Sequence, residues 1–170
     1  MSELNTQQAD KTDQLLKVDS REELRQLILS LSQQAQQRID IFTHDLEYGL
    51  FDNAELYETI KQLAIKSRHT HIHILVQDSQ PMIKKGHRLL KLTRRISTHI
   101  SIKVTAKEDR DLLETFLLFD KKGYIMQQNP ERYDAEAHFN APLKNKYFAE
   151  KFITMWDRAI IDSSLRRLSL

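Results

Sequence analysis

The sequence contains no cysteine, and only three glycines and three prolines among its 170 residues. The missing cysteines exclude disulfide bonds, thiolate metal ligands and a cysteine nucleophile, as is typical of a reducing compartment, so we expect a cytoplasmic protein. Gly49, Gly86 and Gly123 are far apart in the chain, so neither a P-loop nor a GxGxxG turn can be formed. No serine stands in the GxSxG setting of a hydrolase nucleophile.

Long apolar runs are also missing. No stretch approaches the ~20 residues of a membrane span, and the N-terminal "MSELNTQQADKTDQ" lacks the apolar segment of a signal peptide. A hydrophobic fraction of 40%, a charged fraction of 29% and a net charge of +2 indicate a mildly basic globular protein, which permits anionic partners without requiring them. We expect residues 1–18 to form a flexible lead and residues 19–170 to form one domain.

Helices and strands alternate in the first two thirds of the chain. "SREELRQLILSLSQQAQQ" has a capping-box pattern, Ser20 with Glu23, ahead of a helical apolar stripe. After it, "RIDIFTH", "HIHILVQ" and "HISIKV" have the pattern of strands. A helix from Asn53 to Ser67, with Asp52 as a possible cap, and a helix at "HRLLKLTRRI" separate them, while "LEYGLF" and "DSQPMIKKG" are typical of loops.

The last third predicts a hairpin and a long helix. "TFLLF" is apolar at successive positions, which is typical of a central strand covered on both faces. A turn at "KKG", a returning strand "YIMQQ", a short strand "AEAHF" and a helix over residues 143–160 follow. The order predicts an α/β fold with a mixed, mostly parallel sheet, a late hairpin, and an N-terminal helix in front.

Polar side chains follow the first two predicted parallel strands. Thr43, His44 and Asp45 come after the first strand, Asp78 after the second, and His87 opens the next helix. Ligands of such sheets usually bind off the carboxyl ends of the strands, so these residues are a candidate pocket suited to acid–base work. Helix caps and turn hydrogen bonds are the competing interpretation.

Three histidines, His69, His71 and His73, alternate in "HTHIH". Alternate side chains share one face of a strand, where imidazoles can share a metal ion. No acidic third ligand stands at a fixed spacing and no HExxH pattern is present, so a half-exposed structural strand is the favoured interpretation. The sequence predicts no metal and no cofactor.

A basic stripe runs through "KKGHRLLKLTRR". Its members Lys84, Arg88, Lys91 and Arg95 are spaced i, i+4, i+7 and i+11, which puts them on one face of a helix. Such a stripe can bind the phosphates of nucleic acid or of anionic lipid headgroups. An ordinary solvated helix face is the alternative, and no aromatic residue for base stacking is interleaved with the stripe.

The strand–helix segment of residues 38–79, together with "HISIKV", "FLLFDKKGYIM" and "YFAEKFITMWDRA", resembles the phospholipase D-like superfamily over about residues 38–160. The resemblance implies an α/β/α sandwich. Active members carry His-x-Lys-x4-Asp on the hairpin strand, where the histidine attacks phosphorus and the lysine neutralises the phosphate oxygens.

Counting back from Asp120, the lysine position is Thr115 and the histidine position is Leu113. Leucine cannot attack phosphorus and threonine carries no positive charge, so covalent catalysis has no first step. The resemblance therefore implies that the protein is not an enzyme. Asp120 is the one motif residue retained, and we expect its carboxylate to bond the amides of the turn at residues 121–123.

More narrowly, "FTHDLE", "GHRLLKL" and the closing "F…MW" resemble an uncharacterised bacterial phospholipase D-like domain that occurs alone or attached to GNAT acetyltransferases. This implies a binding, interaction or regulatory module, with an acetyltransferase-type protein as a possible partner. It also implies a homodimer, because active single-half relatives pair their hairpin faces. Two alternatives remain: a hydrolase or transferase using His44, Asp45, Asp78 and His87, and a phosphate-surface binder using the basic stripe.

Overall fold

A seven-stranded sheet forms the centre of the molecule, in the order β1-β7-β6-β5-β2-β3-β4. The computed structural model describes residues 13–165. The strands are β1 (Leu16–Val18), β2 (Arg38–Thr43), β3 (His71–Val76), β4 (Ile100–Val104), β5 (Thr115–Phe119), β6 (Gly123–Gln127) and β7 (Ala135–His138).

The sheet is mixed, as predicted. β3 pairs in parallel with both β2 and β4, and the other four pairings are antiparallel. The parallel part is therefore smaller than the predicted "mostly parallel" sheet. β5 lies beside β2, in the middle of the sheet, so all five residues of "TFLLF" are buried, as their apolar run predicts.

In the part of the chain that the structure describes, six α-helices connect and cover the strands: α1 (Arg21–Gln34), α2 (Tyr48–Phe51), α3 (Ala54–Lys66), α4 (Gln80–Lys85), α5 (Arg88–Arg95) and α6 (Pro142–Asp157). The Ser20 hydroxyl accepts a hydrogen bond from the Glu23 amide at 3.2 Å and caps α1, as predicted. Asn53, rather than Asp52, caps α3, because its side-chain oxygen accepts the Leu56 amide at 2.8 Å.

Two hydrophobic layers enclose the sheet. Helices α1 to α5 pack their leucines and isoleucines against one face, through residues such as Leu24, Ile60 and Leu89. Within residues 13–165, α6 is the one helix that packs on the other face, where Phe148, Phe152 and Met155 contact an aromatic-rich strand surface. The arrangement is the α/β/α sandwich that the resemblance implies.

Three segments differ from the sequence-based expectation. Leu16–Val18 were assigned to the flexible lead but pair with β7, so the folded part begins before residue 19; residues 1–12 of that lead lie outside the described residues. The predicted loops "LEYGLF" and "DSQPMIKKG" contain the short helices α2 and α4. Pro81 lies in the first turn of α4, where its missing N–H costs nothing.

Within residues 13–165, none of the helices has both the length and the apolar character that a membrane crossing requires.

Candidate functional site

A cavity of about 440 Å³ lies at one edge of the sheet. The carboxyl ends of β2 and β3, the start of β5 and the end of β6 all meet there, because β5 runs antiparallel to β2. This is the edge at which ligands of open α/β sheets usually bind.

Two residues of the hairpin strands and one residue just before them line this cavity. Thr115 and Gln127 are paired across β5 and β6 and are both buried. Leu113 lies just before β5, and 64% of its surface is exposed. The positions that resemble the nucleophile and the lysine of the active family therefore do lie in one cavity, but they carry an apolar side chain and a hydroxyl.

Two glutamines hold the loops that form the cavity walls. Gln77, at the end of β3, donates hydrogen bonds to the carbonyls of Asp109 at 2.9 Å and Leu112 at 2.7 Å. Gln127 donates to the Arg132 carbonyl. The first loop is also tied to α6, because Arg158 contacts the buried Asp109 carboxylate at 2.7 and 2.5 Å. These polar side chains are thus already bonded to the loops that form the cavity walls.

The rim of the cavity is acidic. Four carboxylates lie on it, and one arginine, Arg110, opposes them; the carboxylates are those of Asp45, Glu47, Asp111 and Glu131. Only Glu47 has a hydrogen-bond donor among the described side chains, since the Tyr133 hydroxyl donates to it at 2.5 Å. That bond raises the pKa of Tyr133. The local field therefore disfavours anions and favours neutral or cationic ligands.

The predicted pocket residues separate into two groups. Thr43, His44 and Asp45 line the cavity. Asp78 does not: its carboxylate accepts the Gln80 amide at 3.0 Å and so serves the turn into α4. His87 does not either, so the four-residue His/Asp site proposed from the sequence does not form. His44 Nδ1 lies 3.2 Å from the Gln77 amide oxygen, so its ring is held by an amide and not by a carboxylate.

His87 lies in a second, smaller cavity of about 370 Å³, which shares Asp45 and Glu47 with the first. Its Nδ1 accepts the Leu89 amide at 3.1 Å and caps α5. Burial lowers the pKa of His87 to about 4, although the Asp52 carboxylate, 4.0 Å away, opposes the shift. Accepting at Nδ1 requires the neutral imidazole, so His87 is a structural cap.

Asp52 contacts the first residue of α5. Its Oδ1 accepts the Arg88 amide at 3.0 Å, and its Oδ2 lies 3.5 Å from the Arg88 guanidinium. Burial alone would raise its pKa, but hydrogen bonds from Tyr48 and the Arg88 amide, with the charges of His87 and Arg88, lower it. Asp52 therefore tethers α5 to the end of α2 as a carboxylate.

The basic stripe does not lie on one helix. Gly86 has a φ of 67° and ends α4, so Lys84 is on α4 while Arg88, Lys91 and Arg95 are on α5. All four side chains are exposed. Arg88 is engaged with Asp52, and Arg95 donates to the Tyr57 hydroxyl at 3.1 Å.

The histidine row forms a cluster that the sequence did not predict. His71 and His73 lie on one face of β3 and stack with their ring centroids 4.4 Å apart, whereas His69 precedes the strand. The missing acidic neighbour comes from β2, since Asp40 is paired with His73. Burial raises the pKa of Asp40 and lowers that of His71.

Gln77 ends the second predicted parallel strand, so the sequence places it at this sheet edge. Several other residues that line the cavity beside β5 were missed, among them Arg110, Asp111 and Gln127. The others reach the cavity because β5 inserts next to β2, which no local pattern shows.

Solved structures with this fold include Nuc, a phospholipase D family member from Salmonella typhimurium, with a TM-score of 0.61 at 13% identity over 86% of this chain and 95% of that one. NucT from Helicobacter pylori has a TM-score of 0.58 at 12% identity, over 86% and 98% of the two chains. TrmBL2, an archaeal chromatin protein with a novel mode of DNA binding, has a TM-score of 0.63 at 15% identity, over 94% of this chain and 60% of its own.

These likenesses define the class: the chain has a phospholipase D-like fold. A family model described as "Domain of unknown function (DUF7931)" matches residues 20–168, so the chain belongs to that family. No curated protein matches the sequence.

Proposed function

We propose that this domain is a non-catalytic binding module on a phospholipase D-like fold, with the cavity beside β5 as its ligand site. The observation that carries the proposal is the position of Leu113 and Thr115. Both line the cavity at the edge where ligands of such sheets bind. Leu113 has no lone pair for attack at the nucleophile position, and Thr115 has no positive charge at the lysine position.

The alternative of an enzyme with a different catalytic set has less support. Acid–base or nucleophilic chemistry needs a reactive group within hydrogen-bond reach of a base that a third group orients. His44 is the one histidine among the cavity's lining residues, and its ring contacts Gln77. Asp78 and His87 are engaged elsewhere.

The charge of the rim indicates the class of ligand. Four carboxylates against one arginine disfavour a phosphodiester, whose negative charge would have to lie among them. Thr43 and Thr115 add hydroxyl groups to the lining of the cavity. A small ligand with an amine and polar groups fits this surface better than a phosphate ester does.

Thermal-shift measurements test the ligand class. We expect a polyamine such as spermidine to raise the melting temperature, and inorganic phosphate at equal ionic strength to leave it unchanged. The double variant Asp111→Asn/Glu131→Gln should lose the polyamine effect. The matched variant Glu58→Gln/Asp157→Asn changes two carboxylates that do not line the cavity and should keep it. Stabilisation by phosphate, or equal loss in both variants, would contradict the proposal.

A second candidate is binding to nucleic-acid phosphates through the α4–α5 surface, which we define as Lys84, Arg88, Lys91 and Arg95. The supporting observations are that all four cations are exposed and that TrmBL2, which shares the fold, is a chromatin protein. Among the described residues, Lys84 and Lys91 form no ion pair, so their charges are available to a ligand.

This candidate is tested by DNA binding at several salt concentrations. Affinity should fall steeply with salt, and Lys84→Glu/Lys91→Glu should weaken it, while Lys121→Glu/Lys122→Glu on the hairpin turn serves as the charge-matched control. Salt-independent binding, or no binding at low salt, would remove this candidate. The cytoplasmic location and the acetyltransferase-type partner expected from the sequence stay predictions.

A further inference from the structure

The register of β2 against β3 brings three metal-ligating side chains together on the face of the sheet that α6 covers. Asp40 is paired with His73, and Arg38 with His71, so Asp40 lies beside both histidines. Asp40 Oδ1 is 4.0 Å from His71 Nε2 and 3.9 Å from His73 Nδ1. The three ligand atoms all lie within 4.8 Å of one another.

Two atoms of this cluster are buried without a hydrogen-bond partner among the described residues: Asp40 Oδ1 and His71 Nε2. The Asp40 side chain is only 1% exposed. Arg38 donates hydrogen bonds to the other oxygen of Asp40, Oδ2, from Nε at 3.0 Å and from Nη2 at 2.5 Å. Leaving a buried carboxylate oxygen unpaired is costly, and a separation of 4.0 Å is too long for a direct hydrogen bond to His71.

A metal ion bound between the three ligand atoms would give both unpaired atoms, Asp40 Oδ1 and His71 Nε2, a partner. Zn–N and Zn–O bonds are about 2.0–2.2 Å long, which puts the ligand atoms of a tetrahedral site about 3.4 Å apart. The two Asp40–histidine separations exceed this by roughly half an ångström, and the separation of the two histidine atoms, at most 4.8 Å, exceeds it by at most about 1.4 Å. Metal binding therefore requires rotation of the histidine side chains.

We propose that Asp40 Oδ1, His71 Nε2 and His73 Nδ1 form a binding site for a divalent transition-metal cation of the Zn²⁺ type. Two imidazoles and one carboxylate suit such an ion, whereas Mg²⁺ and Ca²⁺ prefer oxygen ligands throughout. His71 and His73 keep 34% and 30% of their side-chain surface exposed, so solvent and ions can reach the two rings.

The surroundings hold the ligands in place. Trp156 of α6 stacks on the His73 ring at 4.3 Å with an interplanar angle of 8°, and Arg38 orients the Asp40 carboxylate. Arg38 and Lys103, whose ammonium lies 4.4 Å from the centroid of the Trp156 ring, oppose a cation and moderate its affinity.

The only tryptophan of the chain thus lies against one of the proposed ligands, and it provides the readout. Titration of the tag-free, chelator-treated protein with Co²⁺ should quench Trp156 fluorescence with 1:1 stoichiometry and produce a visible Co²⁺ absorption band. Zn²⁺ should displace Co²⁺ and raise the melting temperature, and Mg²⁺ should do neither.

Substitution of the proposed ligands tests which residues bind the metal ion. His71→Gln and Asp40→Asn should each weaken Co²⁺ binding about tenfold or more, while His69→Gln, an exposed histidine just before β3, should leave it unchanged. The Zn²⁺ effect on the wild-type melting temperature keeps the test valid if a variant fails to fold. No saturable Co²⁺ signal up to about 100 μM, or equal weakening by His69→Gln, would overturn the proposal.

Discussion

At the scale of single residues, Asp120 is retained from the family motif but has a structural role. Its carboxylate accepts the amides of Gln36 at 3.0 Å, Gln37 at 2.8 Å and Arg38 at 3.1 Å, at the start of β2. The expected bonds to the turn at residues 121–123 are not the ones it makes. Thr115 is at the opposite end of β5, about 17 Å away by strand rise. Asp120 therefore joins the hairpin to the α1–β2 connection.

Removing that carboxylate should destabilise the fold. We expect Asp120→Ala to lower the free energy of unfolding by about 2–4 kcal/mol, since three amides lose their acceptor. Asp120→Asn should cost less, because asparagine keeps one acceptor oxygen and tolerates the φ of 56° at this position. Urea denaturation measures both.

Lys121→Ala, at the adjacent exposed turn position, is the control and should stay within about 0.5 kcal/mol. A loss in Asp120→Ala no larger than that of the control would show that these bonds add little.

His87 gives a pH prediction. The pKa of His87 is about 4 in the folded protein and 6.5 when unperturbed. Between pH 4 and 6.5, His87 is therefore protonated in the unfolded chain but not in the folded protein. Stability should therefore be full above about pH 6.5 and fall as the pH drops towards 4, by at most about 3 kcal/mol from this residue. Asp52 and Arg88 also face the ring, but the lowered pKa of Asp52 keeps its own titration below this window.

Denaturation of wild type and His87→Gln across pH 4–7 isolates the contribution. The difference between the two proteins should shrink as the pH falls. A difference that is constant over this range would mean that His87 does not titrate on unfolding.

At the scale of elements, the sequence predicts those helices and strands that have a clear local pattern of apolar or capping residues. The apolar alternation of β2 and β3, the cap at Ser20 and the buried stripe of α6 all appear where the periodicity places them. The short helices α2 and α4 were missed, because four and six residues are too few to show a helical period. The tertiary pairing of Leu16–Val18 with β7 has no local signal either.

The candidate site was predictable only in part, for the same reason. Thr43, His44 and Asp45 directly follow a strand, so their place at the sheet edge could be inferred. Asp40 could not be identified as the neighbour of His71 and His73, because the register between β2 and β3 depends on the whole sheet. The elements could be read from the sequence, and the contacts between them could not.

Gly86 is the element-scale test. It separates α4 from α5 with a left-handed backbone, which an alanine adopts only with strain. Gly86→Ala should lower the free energy of unfolding by about 1–2 kcal/mol, and Gly86→Asn by less. Urea denaturation distinguishes them. Equal stability of Gly86→Ala and wild type would indicate that the two helices can rearrange.

At the scale of the whole molecule, the predicted homodimer concerns the hairpin face. Leu113 is exposed at the cavity mouth, which suits burial against a second copy. Light scattering at micromolar concentration should give a dimer, and Leu113→Glu should shift it to monomer. Leu143→Glu, on α6 and 85% exposed, is the matched control and should leave the dimer intact. A wild-type monomer would remove the prediction.

We propose that this phospholipase D-like domain binds a ligand without catalysing phosphodiester cleavage. The most direct measurement is turnover of bis(p-nitrophenyl) phosphate by the pure protein, compared with His44→Ala in the cavity. We predict no turnover above the buffer rate for either protein. Turnover by the wild type that His44→Ala abolishes, with folding and stability unchanged, would contradict the claim.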